Sequence, residues 1–274
     1  MAQGGGSGAL VKRVLAAFFL IPVIVFVVGY TAPFWVFAST SAIVFLALVE
    51  YNNLSLLPVR RPDGDRLAIA VGVAMPAVFF FLGKDAALAA FIAAVFIFFI
   101  YGMRTATDFK SASIDIAFRT LGVIYIAIPF SHLIFLRALP DGRWWMLFLF
   151  IVIWANDTFA FAVGKTVGRR KLAVLISPGK TVEGAVGGVA GGAVLALVYA
   201  YFMGLGLSMV YVAAIAIIIG IVGIIGDLAE SALKRGAGIK DSGSLIPGHG
   251  GVLDRIDSLI FPIPALYYIL AYLL

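Results

Sequence analysis

The run VYVAAIAIIIGIVGIIG, residues 210–226, contains no charged side chain and is closed by Asp227. A crossing of the hydrocarbon layer takes about 20 mostly apolar residues, so this stretch with its apolar flanks reads as a transmembrane span. Lipid offers no partner to backbone N–H and C=O groups, which leaves helices or closed barrels, and continuous rather than alternating apolar residues select the helix. The same reading extends to the whole chain. Of its 274 residues 63% are hydrophobic and 12% charged, enough apolar sequence for eight or nine such helices and little else. That composition excludes a water-soluble globular enzyme. The absence of cysteine excludes disulfides, thiolate metal sites and cysteine nucleophiles.

Outward from the span at 208–228, apolar runs separated by polar breaks predict helices near residues 14–30, 32–48, 67–82, 86–101, 120–136, 144–156, 185–207 and 259–274. The fold class is therefore an all-α, polytopic transmembrane bundle of about nine spans. Residues 1–10, with Gly4-Gly5-Gly6-Ser7-Gly8, read as a flexible tail. Residues 11–150 read as amino-terminal transmembrane helices, and 151–274 as carboxyl-terminal transmembrane helices with cytoplasmic loops, the expected place of any catalytic residues. If the amino end is cytoplasmic, 17 of the 20 lysines and arginines face the cytoplasm and only Lys84, Arg137 and Arg143 do not. This is the positive-inside pattern, and it accounts for the net charge of +6 without any nucleic acid partner. The expected location is the cell inner (plasma) membrane, multi-pass, with the polar loops inside and membrane lipids around the spans.

Gly184, Gly188 and Gly192 recur every four residues, with Gly187 and Gly191 beside them, predicting a small-residue face for close helix approach. His132, inside an apolar run, is expected to serve helix packing.

The polar chemistry gathers near the carboxyl end. Asp227, Glu230, Asp241, Asp254 and Asp257 alternate with Lys234, Arg235, Lys240 and Arg255, nine of the chain's 34 charges in 31 residues. Asp227 should sit at the bilayer edge, where an unpaired charge is costly. Asp254 and Asp257 share one face if their segment is helical. Converging carboxylates repel unless a cation offsets them, and Mg²⁺ suits carboxylate oxygen. The other reading of the same spacing is salt bridging to Arg255, Lys234 or Arg235 in a solvated loop. Between these acids, Gly248, Gly250 and Gly251 permit close backbone approach to a phosphate, and His249 can donate to one.

A second polar stretch holds Asn156-Asp157, Gly164-Lys165, Arg169-Arg170-Lys171 and Ser177-Pro178-Gly179-Lys180-Thr181-Val182-Glu183. The Gly-Lys-Thr triplets lack the earlier glycine and preceding strand of a P-loop. Arg169-Arg170-Lys171 reads as a topology and anionic-lipid patch. Lys180 beside Ser177 and Thr181 suits a polyphosphate.

Ser231-Ala232-Leu233-Lys234-Arg235, Lys240-Asp241-Ser242-Gly243 and Pro247 through Asp257 (PGHGGVLDRID) closely resemble the signature of phosphatidate cytidylyltransferases, the CDP-diacylglycerol synthases. Asn156-Asp157-Thr158 and Ser177 through Gly184 resemble that family's second conserved stretch, except that Gly179 stands where the family usually has lysine. The resemblance implies that CTP and phosphatidic acid give CDP-diacylglycerol and pyrophosphate, with Mg²⁺, in an enzyme that is often a homodimer. On that basis Asp227, Asp254 and Asp257 are expected to hold one or two cations. Lys234, Arg235, Lys240 and His249 would surround the distal phosphates, and Lys180, Ser177 and Asp157 would complete the pocket. Thr181, Glu183, Ser231, Asp241, Gly250, Gly251 and Arg255 are the remaining candidate substrate-binding residues. CTP would arrive from the cytosol and phosphatidic acid from the inner leaflet. The alternatives are a CTP-dependent lipid kinase of related architecture and, with less support, a transporter.

Overall fold

The computed structural model describes residues 21–54, 62–105, 108–243 and 250–274. Lys12, Arg13, Arg60, Arg61 and His249 lie outside the described residues. The helices are α1 (Ile21–Tyr30), α2 (Pro33–Asn52), α3 (Pro62–Phe81), α4 (Lys84–Thr105), α5 (Phe109–Gly122) and α6 (Ile128–Ala138). They continue with α7 (Gly142–Val167), α8 (Val182–Met203), α9 (Met209–Gly236), α10 (Leu253–Ile260) and α11 (Pro262–Leu273). A two-stranded antiparallel hairpin, β1 (Lys171–Ala173) and β2 (Ser177–Thr181), joins α7 to α8. Among the described residues eight helical segments are long and apolar enough to cross a membrane, with Phe109–Ala138 and Leu253–Leu273 each counted as one, and α1 is a shorter apolar helix before them. This is the all-α polytopic bundle expected.

Local chemistry sets the helix ends. Asp108 accepts from the Ser111 N–H (2.8 Å) at the start of α5, and Thr181 accepts from the Gly184 N–H (3.1 Å) at the start of α8, each satisfying an amide that has no partner within its helix. Between α5 and α6 the span passes through a π turn, Val123–Ala127, ahead of Pro129, which has no N–H to continue the ladder.

The glycine face on α8 meets α7. A Cβ at Gly188 would lie 2.5 Å from Asn156 Oδ1, one at Gly184 2.8 Å from the Ala160 carbonyl, and one at Gly192 3.0 Å from the Val152 carbonyl. The two backbones approach as closely as they do because those side chains are hydrogen atoms. The interior is filled by Trp145, Phe148 and Val152 of α7, Ile215 and Ile219 of α9, and Leu259, Ile263 and Leu266 of α10 and α11. By contrast, α4 turns Phe96, Phe99 and Ile100 outward, as a lipid-facing helix does. His132 packs among Phe79, Phe135, Tyr267 and Tyr268, and its Nε2 lies 3.2 Å from the Tyr268 hydroxyl.

The structure differs from the sequence reading in where helices stop. The sixth apolar run continues as α7 to Val167, and the eighth continues as α9 to Gly236. Asp157 and Lys165, and likewise Ser231, Lys234 and Arg235, are therefore helical residues rather than loop residues. Hydropathy marks only the part of a helix that sits in lipid, whereas the hydrogen-bond ladder runs on into water for as long as no residue breaks it.

Candidate active site

The polar residues assemble where the carboxyl ends of α7 and α9 meet β2 and the amino end of α10. Two glycines on α9 make the junction. A Cβ at Gly226 would lie 2.6 Å from the Asp257 carbonyl oxygen, and one at Gly223 would lie 3.2 Å from that of Ser258. The α10 backbone thus rests on α9 one residue before Asp227, and the Asp227 and Asp257 carboxylates fall within electrostatic range of each other. Asp157 of α7 interacts with both and shares a hydrogen bond with Ser258. Against these three acids stands Lys180 of β2, which forms an ion pair with Asp227. Ser231, one turn along α9, reaches Asp227 Oδ1 at 3.5 Å. The Lys180 and Asp227 side chains are 26% and 29% exposed, while the Lys180 ammonium nitrogen itself is covered. Three carboxylates share the Lys180 ammonium, with Lys234 acting on Asp257 as well as on its own two partners, which leaves an excess of negative charge at this end of the spans and favours binding of a further cation.

Asp254 lies in a different environment. Its Oδ1 is 2.6 Å from Lys234 Nζ. Its Oδ2 accepts from the Ser242 N–H (3.0 Å), the Ser242 hydroxyl (3.0 Å) and the Gly251 N–H (2.9 Å). Lys234 is also paired with the fully buried Glu230, one turn before it on α9. Of the three acids grouped by the sequence reading, Asp227 and Asp257 come together, and Asp254 is occupied in holding the turn after α9 to the start of α10. Among the described residues no three acids or histidines are placed to hold a metal ion.

The remaining candidates divide by position. Ser177, Lys180 and Thr181 lie on β2. Glu183 accepts from the Arg169 N–H (2.9 Å) and the Arg170 N–H (3.1 Å), and Arg235 Nε donates to the Ile176 carbonyl (3.3 Å), so both fix the hairpin to the helices. Lys240 and Asp241 are exposed in the turn after α9, and Arg255 is on α10. Gly250 has φ +80°, and a Cβ there would approach Asp254 Oδ2 to 3.0 Å. That backbone requires glycine. His249 is outside the described residues.

Sequence reasoning missed Glu50, at the end of α2. It is buried, accepts from the Val252 and Leu253 N–H groups (2.9 and 2.8 Å), and lies 3.2 Å from the Ser242 hydroxyl. Its signal was the same as that of Asp227, an acid closing a long uncharged run. Tyr125, on the π turn, was also missed. Its hydroxyl is buried without a hydrogen-bond partner among the described residues, and it interacts electrostatically with Glu230, Asp257 and Asp227.

These features define a class: a polytopic helical membrane protein whose acids and lysines converge at one end of its spans. The chain belongs to the cytidylyltransferase family, whose profile matches residues 11–273. It is 36% identical over 227 residues to the phosphatidate cytidylyltransferase of Staphylococcus saprophyticus, covering 82% of this chain and 86% of that one. It is 34% identical over 242 residues to that of Staphylococcus aureus, covering 86% and 88%. Against the phosphatidate cytidylyltransferase of Bacillus subtilis the identity is 44% over 158 residues, 57% of this chain and 59% of that protein.

Proposed function

We propose that this chain is a phosphatidate cytidylyltransferase, forming CDP-diacylglycerol and pyrophosphate from CTP and phosphatidic acid. The observation that carries the reading is the partly exposed Lys180–Asp227 pair beside Asp257 and Asp157 at the polar end of the spans, where on this reading a lipid headgroup and a soluble nucleotide meet. In the reaction a phosphatidic acid oxygen bonds to the α-phosphorus of CTP. The bond from that phosphorus to the bridging oxygen breaks, and pyrophosphate leaves with the electron pair. The second pKa of a phosphate monoester is about 6, so the nucleophile is already largely ionised and needs little from a general base. Positioning and charge neutralisation are what the protein supplies.

Lys180 is placed to receive the triphosphate, with Lys240 and Arg235 near the same end of α9. Lys234, already shared by Glu230 and Asp254, shapes the site by fixing the turn at Ser242 and Gly251. The donor set fits Mg²⁺, because that ion is commonly held by one or two carboxylates with substrate phosphates completing its shell. Asp227 and Asp257 are the two carboxylates, and Asp157 is available to a second cation. When bound, the cation neutralises phosphate charge and aligns the leaving group. The distribution of lysine and arginine supports a cytoplasmic site drawing on the inner leaflet of the cell membrane. Homodimerisation is carried over from the family resemblance.

The test is purified protein with cytidine-labelled CTP, phosphatidic acid and Mg²⁺. The reading requires stoichiometric pyrophosphate and cytidine in the lipid product. Transfer of the γ-phosphate alone would identify a lipid kinase, and label crossing a proteoliposome without turnover would identify a transporter.

A further inference from the structure

We propose that Glu50, in the amino-terminal half of the chain, is a positioning residue for the nucleotide site. Three observations meet at its carboxylate. First, it takes the Val252 and Leu253 N–H groups, which open α10 and have no partner within that helix. The residue at the helix entrance, Val252, has no side chain able to cap them, so the acceptor comes from α2, about 200 residues away in sequence, at the positive end of the helix dipole. Second, the Ser242 hydroxyl lies between Glu50 Oε2 (3.2 Å) and Asp254 Oδ2 (3.0 Å), linking the buried acid to the one that Lys234 holds.

Third, glycines on both sides of residues 244–249 abut the same group. A Cβ at Gly243 would lie 2.7 Å from Glu50 Oε1, and one at Gly251 would collide with both Glu50 Oε2 and the Ser242 hydroxyl oxygen. Neither glycine has a positive φ. Glycine is needed at Gly243 because the carboxylate occupies the space, and at Gly251 because the carboxylate and the Ser242 hydroxyl together do, not because the backbone is strained. Glu50 therefore sets the register of the turn after α9 against the start of α10, and with it the distance from Asp257 to Asp227. A buried carboxylate is kept only where its donors compensate for lost hydration. Here the donors are the two backbone amides, with the Ser242 hydroxyl hydrogen shared between Glu50 and Asp254, and among the described residues no lysine or arginine pairs with Glu50.

The inference rests on the reading of this end of the bundle as the CTP site, and the experiment separates the two. Glu50→Gln keeps the shape but presents an NH₂ group to one of the two amides. In the purified full-length protein it is expected to raise KM for CTP and lower kcat by about tenfold or more each, the scale of a lost hydrogen bond to a charged group. KM for phosphatidic acid should stay within about twofold, a split that general destabilisation does not produce. A second comparison does not depend on Glu50→Gln folding. Gly243→Ala is expected to weaken CTP binding in the native background, and the Gly243→Ala, Glu50→Asp double variant is expected to regain it because the shorter acid makes room for the methyl group. Unchanged CTP kinetics in Glu50→Gln, or no rescue in the double variant while the native protein makes nucleotide-linked lipid, overturns the role of Glu50. A native protein that makes no such lipid overturns the CTP reading itself.

Discussion

Lys234 Nζ lies 2.6 Å from Asp254 Oδ1, while three residues further along α10 Asp257 faces Asp227 across the Gly226 contact. Two acids on one short helix are thus given different surroundings. One is held by an ammonium and three N–H or O–H donors, and the other accepts from the Ser258 N–H (2.6 Å) with two further carboxylates beside it.

Asp227→Asn and Asp257→Asn should each lower kcat by about 100-fold or more while leaving the protein folded, because each removes a charge from the acid-rich pocket where phosphate is expected. Turnover in detergent, read beside a thermal melt, checks this. Near-native activity in either variant would remove that carboxylate from the site.

Asp254→Asn should also abolish turnover with the fold retained in detergent, but by releasing Lys234, Ser242 and Gly251. Lys234→Met should be worse for stability, by about 3–5 kcal/mol, because it leaves the buried Glu230 carboxylate unpaired. Adding Glu230→Gln to Lys234→Met should recover part of the loss. A denaturation series on the three proteins decides it, and strictly additive effects would contradict the pairing.

Removal of divalent ions with a chelator should stop the reaction, and Mg²⁺ should restore it. Asp257→Asn, if it retains measurable turnover, should need more Mg²⁺ for half-maximal rate than the native protein. An identical Mg²⁺ requirement would argue against Asp257 as a ligand.

Gly188→Ala tests the α7–α8 contact apart from the chemistry. The added methyl group meets Asn156 at 2.5 Å, and overpacking of this kind costs about 1–3 kcal/mol. A lower melting temperature with little change in KM is expected.

Arg119, fully buried, donates to Asp115 from Nε and Nη2 along one edge of its guanidinium (2.9 and 2.8 Å), and its Nη1 lies 3.3 Å from Asp65. Arg119→Met should destabilise the amino-terminal helices by about 3–5 kcal/mol, because the buried Asp115 carboxylate loses the guanidinium that pairs with it and Asp65 loses one of its contacts. The folded fraction should keep its KM for CTP. A selective rise in that constant would instead connect this cluster to the site.

The sequence alone determined the class and the placement of the long apolar helices, because every uncharged run had only one way to satisfy its backbone in lipid. It also placed the acids at the ends of the apolar runs, since each closes or opens such a run, and the spacing of Gly184, Gly188 and Gly192 already described the face that α8 turns toward α7. Tertiary structure alone decided which of those charges meet. Whether Asp254 faces Asp227 or Lys234 depends on how far α10 slides along α9, and that is set by Gly223 and Gly226 beneath it and by Glu50 at its start. Contacts between residues about 200 positions apart leave no periodicity in a chain. They arise only when separate spans, each stable as a helix in the bilayer, dock and find their polar ends side by side.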